Sequence, residues 1–226
     1  SNNVLSILRD KDNSIWVGTD DGIGIIYCSD NVLGNCEATL PIIQQDQFAG
    51  FLFKGEQVQS MAIDGANQKW IGTQNGVWLI SADAKQIIHH FTVNNSPLLS
   101  NDIKKIAVDP TTGEVYFATF NGLCSYRSTA TEASEDKSNI LVFPNPVPPQ
   151  YNGQIAIRGL AENTLIKITE LNGRLVYQTR SLGGQAVWNG RDYVGNKIAS
   201  GVYLVLARDG KGMENIITKI VITSGR

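Results

Sequence analysis

The stretch Ser14-Ile15-Trp16-Val17-Gly18-Thr19-Asp20-Asp21-Gly22-Ile23 decides the fold, because it returns twice further along the chain. It recurs as Gln68-Lys69-Trp70-Ile71-Gly72-Thr73-Gln74-Asn75-Gly76-Val77 and as Glu114-Val115-Tyr116-Phe117-Ala118-Thr119-Phe120-Asn121-Gly122-Leu123. The aromatic positions Trp16, Trp70 and Tyr116 lie 54 and 46 residues apart, close to the period of a propeller blade. Each copy opens with a short apolar strand that starts at Val4, Val58 or Ile103 and ends at Asp10, Asp64 or Asp109, before a polar reversing turn. The aromatic residue then sits on a second strand, where its burial between blades is expected. Two places on, Gly18, Gly72 or Ala118 is small enough for neighbouring backbones to approach closely. Gly22, Gly76 and Gly122 end Asp-Gly or Asn-Gly pairs suited to the positive φ of a type I′ hairpin turn. Third strands follow at 23–27, 77–80 and 123–126, and a fourth at 87–93. In the first copy an insertion from Cys28 to about Gln57 obscures any fourth strand.

This pattern resembles the two-component-regulator type of β-propeller repeat found in large surface and periplasmic proteins of Bacteroidetes-like bacteria. The third copy departs from it, with Tyr116 for Trp and Ala118 for Gly. Ser1-Asn2-Asn3-Val4 also matches Ser100-Asn101-Asp102-Ile103, so the chain is expected to be part of a longer protein. Residues 1–127 are therefore read as three blades of a larger propeller, and propellers close with four to eight. The open blade edges are expected to be covered by edge-to-edge packing or by a homo-oligomer.

Residues 128–138 are polar and read as a linker, and residues 139–226 as a second domain. Strand-like segments at 140–143, 154–158, 165–170, 174–179, 186–188, 202–207 and 216–222, separated by turns such as Asn172-Gly173, suggest an immunoglobulin-like seven-stranded β-sandwich. The fold class is thus all-β, a partial three-blade propeller followed by that sandwich. The sandwich resembles the C-terminal sorting domain of the type IX secretion system. The matching residues are Val142-Phe143-Pro144-Asn145-Pro146, Ile168 to Tyr177, Trp188-Asn189-Gly190-Arg191-Asp192 and Gly195 to Tyr203. The related sandwich of flagellar hook-capping proteins shares the Trp-x-Gly and Ser-Gly-Val-Tyr elements but lacks the Pro-Asn-Pro entry.

The composition, 42% hydrophobic and 18% charged with mean hydropathy −0.11, is that of a globular chain. No apolar run reaches the roughly 20 residues of a membrane-spanning helix. The net charge of −2 argues against a nucleic-acid binder held by phosphate neutralisation. That total conceals −7 over residues 1–138 and +5 over 139–226. The basic excess of the sandwich, with Arg174, Arg191 and Lys197 singled out, is either a solvated face or an anion-binding surface.

Other candidate sites have bland readings. Asp10-x-Asp12-Asn13 hints at a calcium loop but lacks the glycine and terminal glutamate of an EF-hand, so it reads as a turn. His89 and His90 are adjacent and point to opposite faces of a strand, which does not suit a shared metal. No nucleophile motif or phosphate loop is present, so neither an enzyme nor a cofactor is expected. Cys28 and Cys36, eight apart in the insertion, either form a disulfide in an oxidising compartment or stay reduced. Cys124 reads as a small buried hydrophobe.

Propeller repeats leading into such a sandwich are similar to the attachment-complex components of the type IX machinery. The resemblance implies a non-enzymatic protein of the outer-membrane surface that docks with a sortase complex and binds anionic lipopolysaccharide. Two alternatives stay open: a secreted cargo whose sandwich is a cleavable address, and a periplasmic propeller sensor of a hybrid two-component system that binds glycans.

Overall fold

The computed structural model describes residues 3–31, 34–45, 48–134, 139–208 and 213–225. The chain divides into two compact units, 1–128 and 129–226.

The first unit holds three antiparallel blades. Strands β1 (Val4–Arg9), β2 (Ile15–Thr19) and β3 (Gly22–Ile26) form the first. The insertion contributes a separate hairpin, β4 (Ile42–Gln45) and β5 (Phe48–Phe51). The second blade is β6 (Ser60–Ile63), β7 (Lys69–Thr73), β8 (Gly76–Ile80) and β9 (Ile87–Phe91). The third is β10 (Ile103–Val108), β11 (Glu114–Thr119) and β12 (Gly122–Arg127). Among the described residues only the second blade has a fourth strand; in the first, Thr39 of the insertion makes a single bridge to Ile25 of β3.

The repeated residues have repeated jobs. Asp10 Oδ1 accepts the backbone N–H groups of Asp12 and Ser14, and Asp64 Oδ1 those of Ala66 and Gln68, which fixes the β1–β2 and β6–β7 turns. The other carboxylate oxygen accepts the indole N–H of Trp16 at 3.1 Å or Trp70 at 3.2 Å. At the second turn Thr19, Thr73 and Thr119 each donate a hydroxyl to the carbonyl of Gly22, Gly76 and Gly122. The same hydroxyls accept the N–H of Asp21, Asn75 and Asn121. Those glycines have φ of 104°, 119° and 133°, a region closed to most side chains.

Blade stacking follows one rule. A Cβ on Gly18 would lie 2.7 Å from the Val58 Cγ1 of the next blade, and one on Gly72 2.6 Å from the Ile103 Cγ2. Trp16 and Trp70, on the same faces, are 2% and 0% exposed. Tyr116 overturns the expectation that all three aromatics are core, being 41% exposed. Its strand presents Val115 and Phe117 to the second blade, so Tyr116 lies on the face where, among the described residues, no further blade follows. Asp109, with no indole to accept, takes the Thr112 hydroxyl instead.

In the second unit, β13 (Leu141–Phe143), β14 (Ile155–Arg158) and β17 (Gln185–Trp188) form one sheet in the order β13-β14-β17. Strands β15 (Leu165–Glu170), β16 (Leu175–Arg180), β18 (Gly201–Arg208) and β19 (Glu214–Ile222) form the other in the order β16-β15-β18-β19. Alternate residues of both sheets, including Ile155, Ile157, Ile166, Ile168, Trp188 and Val205, meet in one core. Asn145, between its two prolines, donates to the Lys219 carbonyl and accepts the Val221 N–H, which ties the entry segment to β19. Of the stretch expected to be a linker, 129–134 belongs to this unit. Ala130 and Thr131 are buried, and Thr131 bridges to Gly183, while 135–138 lie outside the described residues.

Candidate functional site

The three cations singled out on the sandwich are all engaged by their own unit. Arg174 follows the Asn172-Gly173 turn and faces Glu170 across it. Its Nε donates to Glu170 Oε2 at 3.0 Å, and its Nη2 donates to Oε1. The bond from Arg174 holds the Glu170 carboxyl below the usual carboxylate range. Lys197 Nζ donates to the Pro149 carbonyl at 2.9 Å, and Arg191 Nη1 to the Gly195 carbonyl at 2.7 Å.

Arg174 and Lys197 line one open cavity of about 330 Å³ together with Glu170, Asp192, Tyr193 and Tyr203, whereas Arg191 does not reach it. Asp192 holds the turn that bears Tyr193 by accepting the N–H groups of Val194 and Asn196 with one oxygen. Tyr203, 5% exposed, donates its hydroxyl to the Ala199 carbonyl, and burial pushes its phenol above the ordinary range. Two carboxylates and two cations make the cavity neutral overall. Sequence reasoning picked out the cations and passed over Glu170 and Tyr193. A carboxylate and a guanidinium flanking Asn-Gly was the available signal for Glu170, because a tight turn returns the two strand ends to the same face.

The first unit holds a buried pair absent from the sequence-based expectations. Lys69 occupies the position of Ile15 and Val115 in the other copies and is fully buried. Its Nζ lies 3.1 Å from Asp10 Oδ2, donates to the Ala82 carbonyl at 2.7 Å, and stands 4.7 Å over the Trp16 ring. Burial pulls the Lys69 ammonium below its ordinary range, against the pull of Asp10. Asp10, by contrast, is held below the carboxylate range despite burial, by Lys69, Trp16 and Ser14.

Cys28 and Cys36 are joined in a disulfide, and Cys124 is a free, half-buried thiol. His90 stacks on Trp78 with ring centroids 3.4 Å apart and bonds the Asn75 carbonyl, while His89 leans on Phe91. Among the described residues no three His, Cys, Asp or Glu side chains gather as a metal site, and no helix is long and apolar enough to cross a membrane.

The two units define a class: propeller repeats joined to a secretion-type sandwich. Residues 141–223 match the family described as secretion system C-terminal sorting domain, and residues 1–21 match the two component regulator propeller. The particular likeness is to PorZ, an essential bacterial surface component of the type IX secretion system of Porphyromonas gingivalis. Identity is 32% over 97% of this chain, with a TM-score of 0.65. This chain spans 30% of the PorZ chain. Extracellular domains assigned to the hybrid two component systems BT4673 and BT3049 of B. thetaiotaomicron align at TM-scores of 0.39 and 0.38. Their identities are 15% and 18%, over 96% and 99% of this chain and 31% and 39% of theirs. No curated protein sequence matches the chain.

Proposed function

We propose that this chain is part of a non-enzymatic, cell-surface component of a type IX secretion machinery, which docks with a sortase complex at the outer membrane and binds lipopolysaccharide. The observation that carries the reading is the 32% identity to PorZ over nearly the whole chain, across both units. The charge split, −7 over residues 1–138 and +5 over 139–226, supports an anionic partner for the sandwich. The cations there are bonded within the sandwich, so a phosphate has to be met by donors left over from those bonds.

A second reading rests on the sorting-domain match of residues 141–223, since that module also serves as an export address on cargo. Mass spectrometry of the mature surface protein separates the two. A machinery component keeps the residues from about 140 onward and crosslinks to the sortase; recovery of a form lacking them identifies a cargo.

A further inference from the structure

We propose that the cavity between Glu170, Arg174, Tyr193 and Tyr203 is a binding pocket for an uncharged pyranose. Its volume, about 330 Å³, lies at the lower end of the range for small-ligand pockets, which suits one sugar ring with part of a neighbour. Glu170 and Asp192 line the cavity beside Arg174 and Lys197, so its lining carries no net charge and favours an uncharged ligand over a free anion. The Glu170–Arg174 pair instead sets acceptors beside donors, the pattern that adjacent hydroxyls match because each can donate and accept.

The rim supplies the other half of sugar recognition. Tyr193 is 59% exposed, and its ring leans on Tyr177 with centroids 5.6 Å apart, which fixes its orientation and leaves apolar surface open for the C–H face of a pyranose. Val194 and Leu175 extend that apolar surface. The walls are held before any ligand arrives. Asp192 caps the turn, Arg191 ties down the Gly195 carbonyl, and the Trp188 indole donates to the Arg191 carbonyl. A turn fixed in this way loses little freedom on binding. The pocket does not depend on the secretion role: sortase docking can fail with sugar binding intact, and the reverse.

The test is saturation-transfer NMR on the whole chain with methyl α-glucoside, α-mannoside and α-galactoside, each at about 20 mM, a level suited to the millimolar affinity of a single ring. At least one glycoside is expected to receive saturation. Its binding should weaken about fivefold or more in Tyr193→Ala and in Arg174→Ala, and persist in Tyr193→Phe and in Tyr116→Ala of the first unit. Chemical-shift dispersion of each variant reports whether it has folded. No transfer to any of the three, transfer unchanged in both alanine variants, or tighter binding of glucose 6-phosphate than of glucose overturns the proposal.

Discussion

The ammonium of Lys69 reaches out of the second blade to within 3.1 Å of the Asp10 carboxylate in the first, and both side chains are shut off from water. Removing one member of such a pair strands the other, which typically costs about 3–5 kcal/mol. Asp10→Ala is expected near that cost in urea unfolding followed by tryptophan fluorescence, because it also uncaps the turn at Asp12 and Ser14. Lys69→Met should cost less, about 1–2 kcal/mol, since Asp10 keeps two backbone donors and the Trp16 indole. Equal costs for the two variants would contradict this ranking.

Asp10 and Asp64 occupy equivalent positions and titrate in opposite directions. Burial pushes both upward; for Asp10 the bonds from Lys69, Trp16 and Ser14 prevail, and for Asp64 burial prevails. Stability from Asp10 is therefore fully present above its ordinary value of 3.8 and is lost as pH falls through its lowered value. The contribution of Asp64 has the other sign: it is present below 3.8 and lost as pH rises through its raised value. Asp10→Asn should flatten the acid limb of a plot of unfolding free energy against pH, and Asp64→Asn the limb above 3.8.

Gly72→Ala places a methyl 2.6 Å from the Ile103 Cγ2, so one blade must shift against the next. A loss of about 1–3 kcal/mol is expected in chemical unfolding. In an Ile103→Ala background the same substitution should cost less than in the parent chain, and an unchanged cost would place the strain elsewhere.

The Cys28–Cys36 bridge closes a short loop in the insertion. Loop entropy assigns it about 2.5 kcal/mol. Cys28→Ser with Cys36→Ser should lower the thermal midpoint of the first unit by several degrees, and dithiothreitol should do the same to the parent chain but not to the variant.

Legibility followed the reach of each interaction. The blades were readable because Asp10, Trp16, Thr19 and Gly22 act on one another within a dozen residues and recur in register. Tyr116 was misread because its strand position is local while its cover belongs to another blade. Lys69 carries no local signal of burial, because Asp10 reaches it only through the stacking of two blades, while the Ala82 carbonyl comes from just beyond β8 in its own blade. On the sandwich, Arg174 and Lys197 stood out by charge, but the carboxylate and carbonyls that engage them come from across a turn or from 48 residues away. Polar composition marked 129–134 as a linker, yet its backbone pairs with the turn at Gly183 and Gly184.

On the face that bears Tyr116 the third copy departs from the first two. The cross-strand pairs Ser6 with Gly18 and Ser60 with Gly72 become Lys105 with Ala118, beside Tyr116 in place of tryptophan. In the first two copies those serines bond the incoming strand, at the Val58 carbonyl and the Ile106 N–H. Lys105→Ser with Ala118→Gly should bring that face closer to the docking chemistry of the other two, and sedimentation velocity is expected to show association rising more steeply with concentration in the variant than in the parent chain.

Val4 and Ile7, counterparts of the buried Val58 and Met61, are exposed on the first blade. On the third blade the Ala118 methyl and the Lys105 cation stand where the first two blades have glycine and serine. Repetition carries the stacking contacts from the first blade into the third, and Lys105, Ala118 and Tyr116, in place of serine, glycine and tryptophan, set the outer face of the third copy apart from the two before it.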